Sequence, residues 1–180
     1  MLYARYLSIF LLLIIFSCQS KKKDWVSENE ELLNEIIDSE VIIPSSLKKA
    51  KIASFSNTKG EKRFKIISYI DGTCVTCINN LLYWKEFNKN VILTDNDIEL
   101  VLIVFTNDED YFEKEYLIKY GLDLPIYYDR TNDFIVKNKL FDHRIQTLLL
   151  GSSNECLVLG NPAISKKIEK LYLNRIFNNR

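Results

Sequence analysis

His143 is the single histidine in a chain of 180 residues. That scarcity removes histidine-rich metal sites and most Ser-His-Asp schemes, each of which needs an imidazole as ligand or general base. Net charge is missing too. The 24 basic side chains balance 24 acidic ones, so no field of one sign points to nucleic acid as a partner. There is no internal repeat and no low-complexity segment. The four cysteines, Cys18, Cys74, Cys77 and Cys156, lack the spacing of a disulfide-stapled mini-protein. No cofactor and no metal is expected. What is present, 47% hydrophobic and 27% charged residues, is globular in character and sufficient for one ordinary domain.

The apolar run Tyr6 to Phe16 (YLSIFLLLIIF) falls short of the roughly 20 residues that span a membrane. It follows a positively charged start, Met1 to Arg5, and ends in Ile15-Phe16-Ser17-Cys18. That pattern fits a signal peptide. An aliphatic residue, a small residue and then cysteine resemble the lipobox of bacterial lipoproteins, although Phe16 is bulkier than usual. The resemblance implies a signal peptide over 1–17, acylation of Cys18 with palmitate-like chains, and a lipidated tether over 18–24. The expected location is the bacterial cell envelope, lipid-anchored and facing the periplasm or outer membrane. An ordinary leader with Cys18 unmodified is the alternative.

Beyond the tether, Trp25 to Ile37 has the spacing of an amphipathic helix and Lys48 to Phe55 that of a strand. Asn57 to Gly60 reads as a hairpin turn. These form an N-terminal extension over 25–61. From 62 to 180 strands and helices alternate. Phe64 to Ile70 is a buried strand, and Cys77 to Asn88 a helix with Ile78, Leu81, Leu82, Trp84 and Phe87 inward. Glu99 to Phe105 is apolar almost throughout, as a strand covered on both faces must be. Asp108 to Tyr120 is a helix opened by acidic residues and closed by Gly121. Pro125 to Tyr128 is a strand and Asp133 to Lys139 a short helix. Arg144 to Leu150 and Leu157 to Leu159 form a hairpin, and Ser165 to Phe177 is the terminal helix. This order implies an α/β fold: parallel strands joined by crossover helices, with a final antiparallel hairpin.

Asp71-Gly72-Thr73-Cys74-Val75-Thr76-Cys77 joins the end of a buried strand to a helix start. Unpaired N–H groups and the positive helix end stabilise a thiolate there. A stabilised thiolate is both nucleophile and leaving group, so two cysteines at this spacing can exchange disulfides.

Four segments carry a resemblance to the thioredoxin fold: ISYIDGTCVTC, ELVLIVFTND, LPIYYDRTNDF and RIQTLLLGSSNECLVLGNP. The similarity is greatest to membrane-anchored TlpA/ResA-type thiol–disulfide oxidoreductases and covers Lys62 to Leu171. It implies a three-layer fold, a central mixed sheet with helices on both faces. It implies Cys74 as attacking thiol and Cys77 as resolving thiol, with Thr73, Ile145 and Gln146 lining a substrate groove. Exported client proteins and a redox partner protein are the implied partners.

Two departures stand out. Gln146 occupies the place of the family's cis-proline, so a trans peptide is expected, since a cis bond before a non-proline residue costs about 3–4 kcal/mol. The family's buried acid falls near Ser68, which cannot serve as one, with Asp71 and the more distant Glu86 as substitute candidates. Other readings of the pair stay open on the residues alone: a structural disulfide, half of a zinc site with Cys156 and His143, or a non-catalytic binding module. A thiol peroxidase lacks its signature, because Ile67 and Asp71 stand where proline and threonine are required. Cys156 reads as a buried small hydrophobe and His143 as a surface residue.

Overall fold

The computed structural model describes residues 29–52, 62–92 and 97–178. The expected signal peptide, Cys18, the expected tether, Trp25 and the Asn57 to Gly60 turn lie outside the described residues. The chain divides into two units, 1–33 and 34–180, and the second contains the sheet. The elements are α1 (Glu30–Ile36), β1 (Lys48–Lys49), β2 (Phe64–Asp71), α2 (Val75–Phe87), β3 (Ile98–Phe105), α3 (Glu109–Phe112), β4 (Ile126–Tyr128), α4 (Asp133–Lys137), β5 (Thr147–Leu150), β6 (Cys156–Leu159) and α5 (Lys166–Asn178).

Six strands form one mixed sheet in the order β1-β4-β3-β2-β5-β6. β2 and β3 run parallel from Phe64↔Ile98 to Asp71↔Phe105, and β4 continues the parallel set beside β3. β5 lies antiparallel to β2, and β6 antiparallel to β5. The expected crossovers and terminal hairpin are therefore present.

Strand alternation sends successive side chains to opposite faces. Ile66, Ile70, Leu100, Leu102 and Val104 enter one cluster with Ile78, Leu81, Trp84 and Phe87 of α2, Phe112 of α3, and Tyr172 and Ile176 of α5. Ile67, Ile103 and Leu148 are buried outside that cluster, as are Phe134 and Ile135 of α4 and Leu140. Burying each large side chain stabilises by about 1.5–3 kcal/mol.

Several expectations need correction. Leu82 does not face inward; it is 51% exposed. At 3.6 residues per turn it lies about 130° from the middle of the stripe formed by Ile78, Leu81, Trp84 and Phe87. The helix from Asp108 is not uniformly α-helical. After Phe112 it widens to a π-helix over Glu113–Ile118, and Lys119 N–H reaches the Lys114 carbonyl. Gly121 closes it as expected, with φ 57°. Leu122 N–H bonds the Leu117 carbonyl and Gly121 N–H the Ile118 carbonyl, a Schellman closure.

The strand expected from Arg144 begins only at Thr147. Asp142 accepts the Arg144 N–H at 2.9 Å and winds His143–Ile145 into a 3₁₀ turn. Local capping by a short acidic side chain competes here with strand pairing.

Of the strand expected over Lys48 to Phe55, positions 53–55 lie outside the described residues, and Lys48 and Lys49 form β1, antiparallel to β4. Upstream, the same segment pairs with the other side of the sheet. Asp38 N–H bonds the Cys156 carbonyl, Cys156 N–H the Ser39 carbonyl, and Val41 N–H the Asn154 carbonyl. Between the two, the Asn138 amide bonds both the N–H and the carbonyl of Ile42. The extension thus covers β6 and β4, edges that would otherwise present unpaired backbone groups.

Candidate functional site

β2 delivers the chain to the site and a tight turn passes it into α2. Gly72 N–H bonds the Phe105 carbonyl at the end of β3 at 2.7 Å. A Cβ on Gly72 would lie 2.8 Å from that same oxygen, so only glycine allows this approach. The Asp71 carboxylate accepts both the Thr73 N–H at 2.9 Å and the Thr73 hydroxyl at 2.7 Å. Cys74 N–H bonds the Asp71 carbonyl, and Val75 opens the helix.

Cys74 is the N-cap of α2, and its sulfur accepts the Cys77 N–H at 3.3 Å. The two sulfurs lie 2.6 Å apart, with the Cys77 S–H directed at Cys74. Both thiols are free and partly exposed. The contact with the Cys77 thiol, and then the N–H groups of Cys77 and Thr76, hold the Cys74 thiol below its ordinary 9.0, while partial burial and Asp71 oppose them. Burial, donation to Cys74 and the Cys74 charge push Cys77 up to about 12, and Asp71 adds to the rise. One sulfur is thus disposed to ionise and its neighbour to stay protonated.

No protein-family model and no curated protein matches the sequence. Solved structures do match in fold. A candidate protein disulfide isomerase from Bacteroides thetaiotaomicron is similar at TM-score 0.58 and 15% identity, over 78% of this chain and 87% of that one. The thioredoxin domain of a thiol–disulfide oxidoreductase from Bacteroides vulgatus is similar at TM-score 0.53 and 12% identity, over 76% and 97%. The reduced N-terminal domain of PilB from N. meningitidis is similar at TM-score 0.53 and 15% identity, over 76% and 94%. The chain has the thioredoxin fold.

Within that thioredoxin fold the remaining sequence-derived residues take distinct places. Thr73 is exposed and engaged with Asp71. Ile145 is buried at 2% exposure, so only its backbone is available to a groove. Gln146 is partly buried. Its carbonyl accepts the Tyr69 N–H, and its side-chain amide donates to the Leu140 carbonyl at 3.0 Å. Among the described residues there is no cis peptide bond.

Ser68 is buried and shares a hydrogen bond of 2.9 Å with the Thr147 hydroxyl, its partner across the β2–β5 ladder. Neither substitute replaces an acid there. Asp71 is committed to its turn. Glu86 lies on α2, nine residues beyond Cys77 and so roughly 13 Å along the axis.

Cys156 is buried in β6, and burial pushes its thiol up to about 12. His143 is exposed beside Asp142. Neither joins the pair, and among the described residues no three metal-ligating side chains cluster.

Two features of the site carry no local sequence signal. Tyr69 donates to the Asn132 side chain at 2.6 Å, joining the end of β2 to the turn before α4. The close approach of Gly72 to β3 depends on strand register, which the motif around the cysteines does not encode.

Proposed function

We propose that this protein is a thiol–disulfide oxidoreductase of the bacterial cell envelope, tethered by a lipid on Cys18 and acting on exported proteins through Cys74 and Cys77. The opposed ionisation of two sulfurs 2.6 Å apart at a partly exposed helix mouth carries the reading. The thioredoxin fold of the domain supports it.

The Cys74 thiolate attacks a client disulfide. A bond forms between Cys74 and one client sulfur, the client S–S bond breaks, and the released client thiolate takes a proton. Cys74 then carries no charge and no longer draws the Cys77 proton towards itself. Two of the influences that held the Cys77 thiol up are gone. Cys77 loses its proton, attacks the Cys74 sulfur and releases the second client thiol. The client gains two electrons and the pair becomes a disulfide. A redox partner protein resets it, and the reverse sequence oxidises a client.

Trapping tests this reading. Cys77→Ser should accumulate mixed disulfides through Cys74 in intact envelopes, and Cys74→Ser should not. Alkylation of Cys74 should be half-maximal below pH 9.0, and that of Cys77 only towards about 12. Cys18→Ser should release the protein from membranes and abolish incorporation of labelled palmitate. Absence of any mixed disulfide with Cys77→Ser would sink the enzymatic reading.

The folded-back Gln146 amide and the uncharged Ser68–Thr147 pair favour a second reading, a non-catalytic accessory module of an envelope complex. In that case partners bind equally well after both cysteines are replaced.

A further inference from the structure

We propose that Asp71 is a positioning residue that lowers the reduction potential of the Cys74–Cys77 pair and so makes the protein an electron donor to client disulfides; this rests on the exchange chemistry above. Three contacts hold Asp71 in place. Its backbone pairs with Phe105 at the last register position of β2 and β3. Its carbonyl accepts the Cys74 N–H at 3.1 Å. Its carboxylate accepts both donors of Thr73. The charge therefore cannot swing out of the turn that carries the nucleophile. Among the described residues no lysine, arginine or histidine forms an ion pair with it.

The direction follows from where charge appears. The disulfide carries none. The reduced pair carries one negative charge on Cys74 once that thiol ionises. A fixed carboxylate beside it opposes that charge, and Asp71 raises both thiols. The reduced form is thereby destabilised relative to the disulfide. Tyr69, the other titratable group at this end of β2, adds no charge. Burial, with the charges of Asp71 and Asp129, raises its phenol, and its hydroxyl is committed to Asn132.

Asp71→Asn separates charge from geometry, because the asparagine oxygen accepts the same two Thr73 donors. Equilibration of the full chain with glutathione buffers should shift towards the reduced form by about threefold to tenfold, the effect of one neighbouring charge largely screened in a partly wet site. For a two-electron couple that is roughly 15–30 mV upward. The Cys74 thiolate titration, followed by ultraviolet absorbance, should fall in step. The potential difference should vanish at pH values where Cys74 is a neutral thiol even without Asp71. Asp71→Ser, also uncharged and able to turn the chain, should move the potential the same way.

If the pair cycles in wild type and both variants but the potential does not move, the assignment of Asp71 is overturned and the oxidoreductase reading stands. If the wild-type pair forms no disulfide in any buffer, the oxidoreductase reading itself fails and takes this one with it.

Discussion

Replacing Gly72 with alanine tests how the site is built. The added methyl would lie 2.8 Å from the Phe105 carbonyl oxygen, 3.1 Å from Thr106 Cβ and 3.2 Å from Phe112 Cδ2. The first neighbour is backbone inside the sheet and cannot rotate away. Either the turn shifts or β2 and β3 part at their ends, which stretches the 2.7 Å bond from Gly72 N–H to Phe105. Overpacking of this kind costs about 1–3 kcal/mol, and the weakened hydrogen bond adds about 1 kcal/mol. The lower unfolded-state entropy of alanine offsets roughly 0.4–1 kcal/mol. The net loss is about 2 kcal/mol, or roughly 4–8 °C in Tm for a domain of this size.

Gly121 provides the contrast. It has φ 57°, and the space a Cβ would occupy has no neighbour within 4 Å, so alanine there meets backbone strain alone. That strain costs about 1–2 kcal/mol. Both variants should lower the urea midpoint of the reduced protein. Only Gly72→Ala should also slow alkylation of Cys74, because it displaces the turn that presents the sulfur. A Gly72→Ala protein as stable as wild type, with an unchanged alkylation rate, would refute the close-approach account.

Leu81 and Leu82 are adjacent but differ in environment, 0% against 51% exposed. Leu81→Ala should cost about 2–5 kcal/mol and Leu82→Ala less than about 0.5 kcal/mol in urea unfolding; equal losses would mean the helix face is misassigned. Ser68→Ala and Thr147→Val each strand a buried hydroxyl and should cost about 1–3 kcal/mol. The double variant should cost less than the sum of the singles, and strict additivity in the cycle would deny the shared bond. Burial pushes the Cys156 thiol up from its ordinary 9.0 to about 12 in the folded protein. A thiol held neutral by folding stabilises below the unfolded value, and that contribution is lost as pH rises from 9.0 towards about 12. The reduced protein should therefore lose stability in that window, and Cys156→Ala should flatten the slope in pH-dependent denaturation.

Much of the fold was legible in the residues because its signals are local. ELVLIVF is too apolar to be anything but a strand covered on both faces, and β3 is that strand. Gly121 marked a helix end because only a left-handed residue closes it this way. The cysteine pair between a strand and a helix announced both thiols, and the sulfurs do meet. Less visible was anything settled by competition. The Asp142 cap displaced the start of β5, since a side chain two residues away reaches that N–H before a distant strand can. The inward face of α2 depended on which neighbours it met, which left Leu82 in solvent.

By itself, then, the order of residues determined the alternation of strands and helices, the placement of two cysteines where a strand gives way to a helix, and the absence of an acid at Ser68. Those follow from periodicity and side-chain chemistry, which act within a few residues. Only the tertiary structure decided that Ser68 would satisfy itself against Thr147, that Gln146 would fold back on Leu140, and that Gly72 would touch β3. It also decided that the N-terminal extension would cover two separate sheet edges. Each of these joins groups distant in the chain, and such contacts exist only once packing has brought them together.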